Sequence, residues 1–162
     1  MKANSVFNRN FAYLSILFLF LNFFGLYLGV FFTGEGVTSD WYQTLNKAPW
    51  TPPGWVFGFA WTSIMICFAF YLSKVFTKGP NRKINVIIYT SQWILNLSWN
   101  PLFFYFHEMA IAMVILILLL IVLLYLLYVN YSTLKTSSYL LLPYVLWLIV
   151  ACSLNAYTLF NN

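Results

Sequence analysis

Charge is what this sequence has least of. In 162 residues there are three acidic side chains, Glu35, Asp40 and Glu108, eight basic ones and a single histidine, His107. A soluble domain commonly carries about a quarter of its residues charged, so 7% cannot furnish an ordinary water-facing surface. Cysteine is scarce as well. Cys67 and Cys152 lie far apart inside apolar runs, without CxxC or metal-ligand spacing, and read as small buried hydrophobes. With so few acids and one histidine, no metal cluster, nucleophile–base pair or phosphate-binding loop can be assembled. Catalytic residues and metal ligands are therefore assigned to none of the positions, and no cofactor is required. The eight basic residues are scattered rather than gathered into a patch, which argues against nucleic acid as a partner.

What the chain does have is hydrocarbon-soluble sequence, 62% hydrophobic and 22% aromatic. A membrane-spanning helix needs roughly 20 apolar residues. The expected fold is an all-α integral membrane protein, a five-transmembrane-helix bundle forming one domain over 1–162. Its spans fall at about 11–32, 53–76, 84–106, 109–131 and 139–160, and the segment 33–52 is left as the long first loop. The first run could be mistaken for a signal peptide behind Lys2 and Arg9, but its length and lack of a small-residue cleavage site favour a retained span.

The few charges test that count. Five spans put Lys2, Arg9, Lys74, Lys78, Arg82, Lys83 and Lys135 on one side, with no acid, and Lys47, Glu35, Asp40, His107 and Glu108 on the other. Short basic loops face the cytoplasm, so the expected orientation is N-terminus cytoplasmic and C-terminus on the opposite side.

Polar and aromatic groups inside the spans then mark inward faces. Asn22, Gly25 and Gly29 share one face of the first span, and Gly25-xxx-Gly29 lets helices approach closely, either within the chain or in a homodimer. Gln92, Asn96 and Asn100 recur every four residues on the third span, and lipid cannot satisfy their amides. Pro101 should loosen or kink the helix beyond them. For Asn96 a structural hydrogen bond is the favoured role, whereas Asn100, beside the kink, is as apt to meet a ligand. The fourth span is so aliphatic that it reads as a lipid-facing staple, and His107 with Glu108 reads as a solvated turn. Trp55, Gly58, Trp61 or Thr62, and Met65 form one stripe on the second span; Pro143, Tyr144, Trp147, Ala151 and Asn155 form another on the fifth.

Four of the seven tryptophans stand between Trp41 and Trp61. Tryptophan concentrates at membrane interfaces, which suits Trp41, Trp50 and Trp93. Trp61 and Trp147 lie several residues inside their spans, where an indole N–H wants a partner and a flat ring suits an apolar aromatic ligand.

Three ordered blocks carry a resemblance over nearly the whole chain. The first is Gly34-Glu35-Gly36 with Trp41-Tyr42, Leu45, Lys47, Trp50, Pro52-Pro53, Trp55, Phe57-Gly58 and Trp61. The second is Leu95-Asn96 with Trp99-Asn100-Pro101-Leu102-Phe103-Phe104, and the third is Pro143-Tyr144-Val145-Leu146-Trp147 with Leu154-Asn155. They resemble the tryptophan-rich sensory protein/translocator protein family, also called peripheral benzodiazepine receptors. The resemblance implies a five-helix bundle, often dimeric, with a pocket that the first loop covers as a lid. It implies porphyrins and other tetrapyrroles as ligands, with a sensing, transport or regulatory role, and leaves a light-dependent porphyrin-degrading enzyme as the alternative. Tyr42, Trp61, Asn100, Tyr144 and Trp147 match the family's pocket-lining positions, and Trp50 joins them as a lid residue. Ala48 and Phe59 depart from the family pattern, which commonly has proline at both places. A proposed sterol motif at the end of the fifth helix is absent, because no basic residue follows Tyr157. Membrane lipid, a small hydrophobic ligand and a possible second copy of the chain are the expected partners.

Overall fold

The computed structural model describes residues 2–33 and 35–162, with side chains from residue 9 onward. Met1 and Gly34, and the side chain of Lys2 used in the charge count, lie outside the described residues. Five long helices dominate: α1 (Lys2–Phe31), α3 (Gly54–Lys78), α4 (Arg82–Asn100), α5 (Met109–Leu134) and α6 (Leu142–Asn161). A short helix, α2 (Asp40–Thr44), lies in the first loop.

Helix boundaries follow local chemistry. α1 starts well before the apolar run, since nothing in the polar stretch ahead of Phe11 is a proline or glycine that would stop it. Pro53 caps α3 from outside, so the helix begins at Gly54, one residue later than expected. α4 opens with an Asn81 side chain accepting from Ile84 N–H at 3.1 Å. It gives way at Pro101 to one π-helical turn, Pro101–Tyr105, the expected loosening in a specific form. A 3₁₀ stretch, Lys135–Leu141, links α5 to α6, and Lys135 there has φ 44°.

Packing closes the helices into a ring in which α1 lies on α3 and α4, α5 on α4 and α6, and α6 on α3. Polar side chains reinforce those seams. Ser15 donates to Ser73 at 3.1 Å, the Asn22 amide donates to Met65 O at 3.3 Å and accepts from Tyr89 at 3.1 Å, and Tyr71 donates to Leu126 O at 3.3 Å. Gly25 and Gly29 are occupied within the chain. A Cβ on Gly25 would come within 2.7 Å of Trp93 Nε1, and one on Gly29 within 2.7 Å of Asn100 Nδ2. Trp93 uses that approach to donate to Leu21 O at 3.3 Å.

Two expectations need correction. α5 is no lipid-facing staple: Ala112, Leu116, Leu119, Leu123 and Leu126 form a fully inward stripe at three- and four-residue steps, while Ile117, Leu118, Ile121 and Leu124 face outward. Between Ala110 and Leu124 α5 carries no polar residue, so its two faces look alike in sequence there. Cys67 and Cys152 are only half-buried.

Among the described residues, three stretches are long and apolar enough to cross a membrane: Arg9–Thr38, Gly54–Lys78 and Met109–Asn161. The last contains both α5 and α6. α4 falls short because its amides dilute its hydrophobicity, yet Asn85 and Gln92 are turned wholly inward.

Candidate functional site

At the end of the bundle away from the basic loops, the first loop folds across the π-helical turn, His107 and α6. Its course depends on small local devices. Gly36 takes φ 54°, a conformation open to glycine, and Ser39 caps α2 by accepting from Tyr42 N–H at 3.2 Å. Ala48 is buried, and its carbonyl accepts from Thr51 N–H at 2.9 Å across a turn through Pro49 and Trp50. A proline is thus not needed at 48 to bend the chain.

The loop is pinned on both flanks. Trp41 stacks on His107 with centroids 3.9 Å apart and packs edge-on to Phe103. His107 is therefore exposed but not merely solvated, and its φ of 58° turns the α4–α5 connection toward the loop. Tyr42 lies against Phe103 and Phe104 of the π-helical turn, with Lys47 Nζ 4.9 Å from its ring centre, and burial pushes its phenol pKa up. On the opposite flank Trp50 donates to Ser153 Oγ at 3.2 Å and meets Tyr157 edge-on. Asn46 adds hydrogen bonds to Asn161 O at 3.0 Å and Asn162 Oδ1 at 2.9 Å.

Beneath the loop, α3 and α6 run antiparallel with interlocking rings. Trp61 meets Tyr144 edge-on at 5.9 Å, and Phe57 meets Trp147 at 5.3 Å. Tyr144 is buried, and its hydroxyl accepts from Gln92 Nε2 at 2.9 Å and from Asn96 Nδ2. One phenol oxygen thereby ties α6 to two turns of α4. Farther along the same helix Trp99 stacks on Phe103 at 5.4 Å and meets Phe104 edge-on, which joins the α4 wall to Tyr42 and the loop.

Two polar atoms on this wall are left over: Gln92 Oε1 and Trp99 Nε1 are buried without a hydrogen-bond partner. An unsatisfied buried donor or acceptor costs roughly 1–3 kcal/mol, so each calls for a partner, either an ordered water or a ligand. Gln92 was expected to point inward, but neither it nor Trp99 stood among the expected ligand contacts. The signal was available in the four-residue step of Gln92, Asn96 and Asn100 with Trp99 alongside.

The expected site residues thus fall into groups. Trp61, Tyr144 and Trp147 share the α3–α6 seam, Tyr42 sits in the loop above the π-helical turn, and Trp50 is more than half exposed on the outer flank of α6. Asn100 belongs to the α1–α4 contact at Gly29. Gly58, expected in the α3 stripe, has open space around it, and Trp55 and Phe59 beside it are exposed.

A ring of long apolar helices, with amides turned inward and aromatic residues gathered under one loop, defines a polytopic α-helical membrane protein. The family model described as TspO/MBR matches residues 16–160. The chain is 33% identical over 138 residues to the tryptophan-rich protein TspO of Chlorobaculum tepidum, covering 81% of this chain and 87% of that protein. It is 32% identical over 136 residues to the human translocator protein, covering 81% and 79%. Against the protein CrtK of Rhodobacter capsulatus it is 30% identical over 118 residues, covering 71% and 74%. The chain belongs to the TspO/MBR family.

Proposed function

We propose that this protein binds porphyrins and related flat, hydrophobic ligands within the bundle, in a sensing, transport or regulatory role. The observation that carries the reading is the buried, unpartnered pair of Trp99 Nε1 and Gln92 Oε1 on a wall built of aromatic rings. A tetrapyrrole matches it in kind: an extended apolar face for Trp61, Trp147 and Trp99, a carboxylate to accept from an indole N–H, and pyrrole N–H groups to donate to an amide oxygen. Tyr42 and Trp50 act from the loop, which opens to admit the ligand. Tyr144 positions Gln92 and Asn96, and Asn100 holds α4 against α1.

In this reading all five long helices cross the membrane, with the basic end in the cytoplasm and the loop on the other side. Lipid is the solvent, and no cofactor takes part. Association with a second copy would use a face other than Gly25 and Gly29, which Trp93 and Asn100 cover.

Absorbance titration of the purified protein with protoporphyrin tests the proposal. Trp61→Phe and Trp147→Phe should each weaken binding about fivefold, the equivalent of about 1 kcal/mol. Unchanged affinity in both, and in the double variant, overturns it.

A further inference from the structure

At the opposite end of the bundle lies a cavity of about 320 Å³ lined by Asn10, Tyr13 and Leu14 of α1, Phe76 and Thr77 of α3, and Arg82 of α4. We propose that it binds the phosphate headgroup of an anionic membrane lipid. The inference rests on a different part of the molecule from the aromatic wall, and either can fail alone.

Charge points to an anion. Glu35, Asp40 and Glu108 all lie in the loops at the far end, so among the described residues no carboxylate side chain answers the basic end. Arg82 is exposed and has no ion-pair or hydrogen-bond partner among the described residues, nor do the side chains of Asn10 and Tyr13. A guanidinium, an amide and a phenol therefore remain as donors around one cavity. The Thr77 hydroxyl donates to Ser73 O at 2.7 Å and Lys74 O at 3.2 Å, so it lines the wall as a committed group. The planar guanidinium fork suits two phosphate oxygens at once.

The rest of the lining points to a lipid. Leu14, Phe76 and the Tyr13 ring give the cavity an apolar side, which a free phosphate would leave unused but a glycerol backbone and upper acyl chain would cover. The cavity also lies where the apolar run of α1 begins, at headgroup level. Basic pockets between helices at the membrane surface suit acidic headgroups.

The test uses the full chain in bilayers of phosphatidylcholine, with and without phosphatidylglycerol, reading retained lipid by native mass spectrometry and the unfolding midpoint by heat. The wild type should keep one phosphatidylglycerol per chain and unfold at a higher temperature when it is present. Arg82→Gln should lose both effects, and Lys83→Gln, equal in charge but outside the cavity, should keep them. Tyr13→Phe, which removes one donor with little change of shape, should weaken retention about fivefold. Equal retention by Arg82→Gln and Lys83→Gln overturns the proposal, as does no change in Tyr13→Phe. A full midpoint shift from inorganic phosphate in phosphatidylcholine alone overturns the assignment to a lipid.

Discussion

Two amide clusters stand on α4, and only one is closed. Near the start of the helix Asn85 and Asn130 of α5, both wholly buried, exchange hydrogen bonds at 3.2 and 2.8 Å, and Asn130 donates further to Leu126 O at 2.9 Å. Two turns on, Gln92 and Asn96 converge on Tyr144 but leave Gln92 Oε1 unpaired, with Trp99 Nε1 unpaired beyond them. The first cluster is self-contained, so its energy goes into holding α4 against α5. The second keeps unused hydrogen-bonding capacity amid aromatic rings, which the proposed ligand would take up. Burial does not distinguish the two clusters; the spare capacity beside aromatic rings does, since Ser138 Oγ in the α5–α6 link is also buried without a partner but is no part of that aromatic wall.

The closed cluster is the easier to break, and Gly79 is its most sensitive neighbour. A Cβ there would stand 2.3 Å from Val75 O, 2.7 Å from Asn130 Oδ1 and 2.9 Å from Asn85 Nδ2. Gly79→Ala must displace backbone or the amide pair, and should destabilise the protein by about 3 kcal/mol, the upper range for overpacking. Thermal unfolding in detergent checks it, and a loss under about 1 kcal/mol would show the cluster to be loose.

Removing one partner comes next. Asn85→Leu leaves the Asn130 amide partly unpaired and should cost about 2 kcal/mol, whereas Asn85→Leu/Asn130→Leu should recover much of that loss because no polar group is stranded. Simple additivity in the double variant would mean that the amides do not act as a pair.

The open cluster should respond less in stability and more in binding. Tyr144→Phe removes the acceptor shared by Gln92 and Asn96, for about 1.5 kcal/mol, and should lower porphyrin affinity by freeing both amides to turn away. A stability loss with intact affinity would make this cluster architectural, like the first.

The sequence showed why the open cluster faces inward but not what completes it. Gln92 and Asn96 repeat every four residues in a span, and lipid offers amides nothing, so their direction was forced. Asn155 was legible on the same grounds: it is buried against α5, its amide bridging Met109 O and Met113 N–H in the orientation that satisfies both groups. Asn130 was missed because it sits near a span end, where a polar residue ordinarily meets water. Pro101 announced a break, yet proline removes a donor without dictating the π-helical turn that follows. Trp41 on His107 is a contact between two loops, and neither hydrophobic period nor turn chemistry encodes such a pairing.

Trp99→Phe should give the smallest stability change and the sharpest distinction. In the closed cluster, deleting a polar group strands its partner; at Trp99 it strands nothing, because the indole N–H has none. Loss of the unsatisfied donor is favourable, loss of part of the ring against Phe103 and Phe104 is unfavourable, and two opposing effects of about 1 kcal/mol nearly cancel. Unfolding should therefore shift by less than about 1 kcal/mol. Porphyrin affinity should nevertheless fall about tenfold, since a hydrogen bond to a charged acceptor contributes about 1.5–3 kcal/mol and phenylalanine cannot make it. If stability falls as far as in Asn85→Leu while affinity is unchanged, Trp99 is a packing residue, and the contrast between the two clusters dissolves.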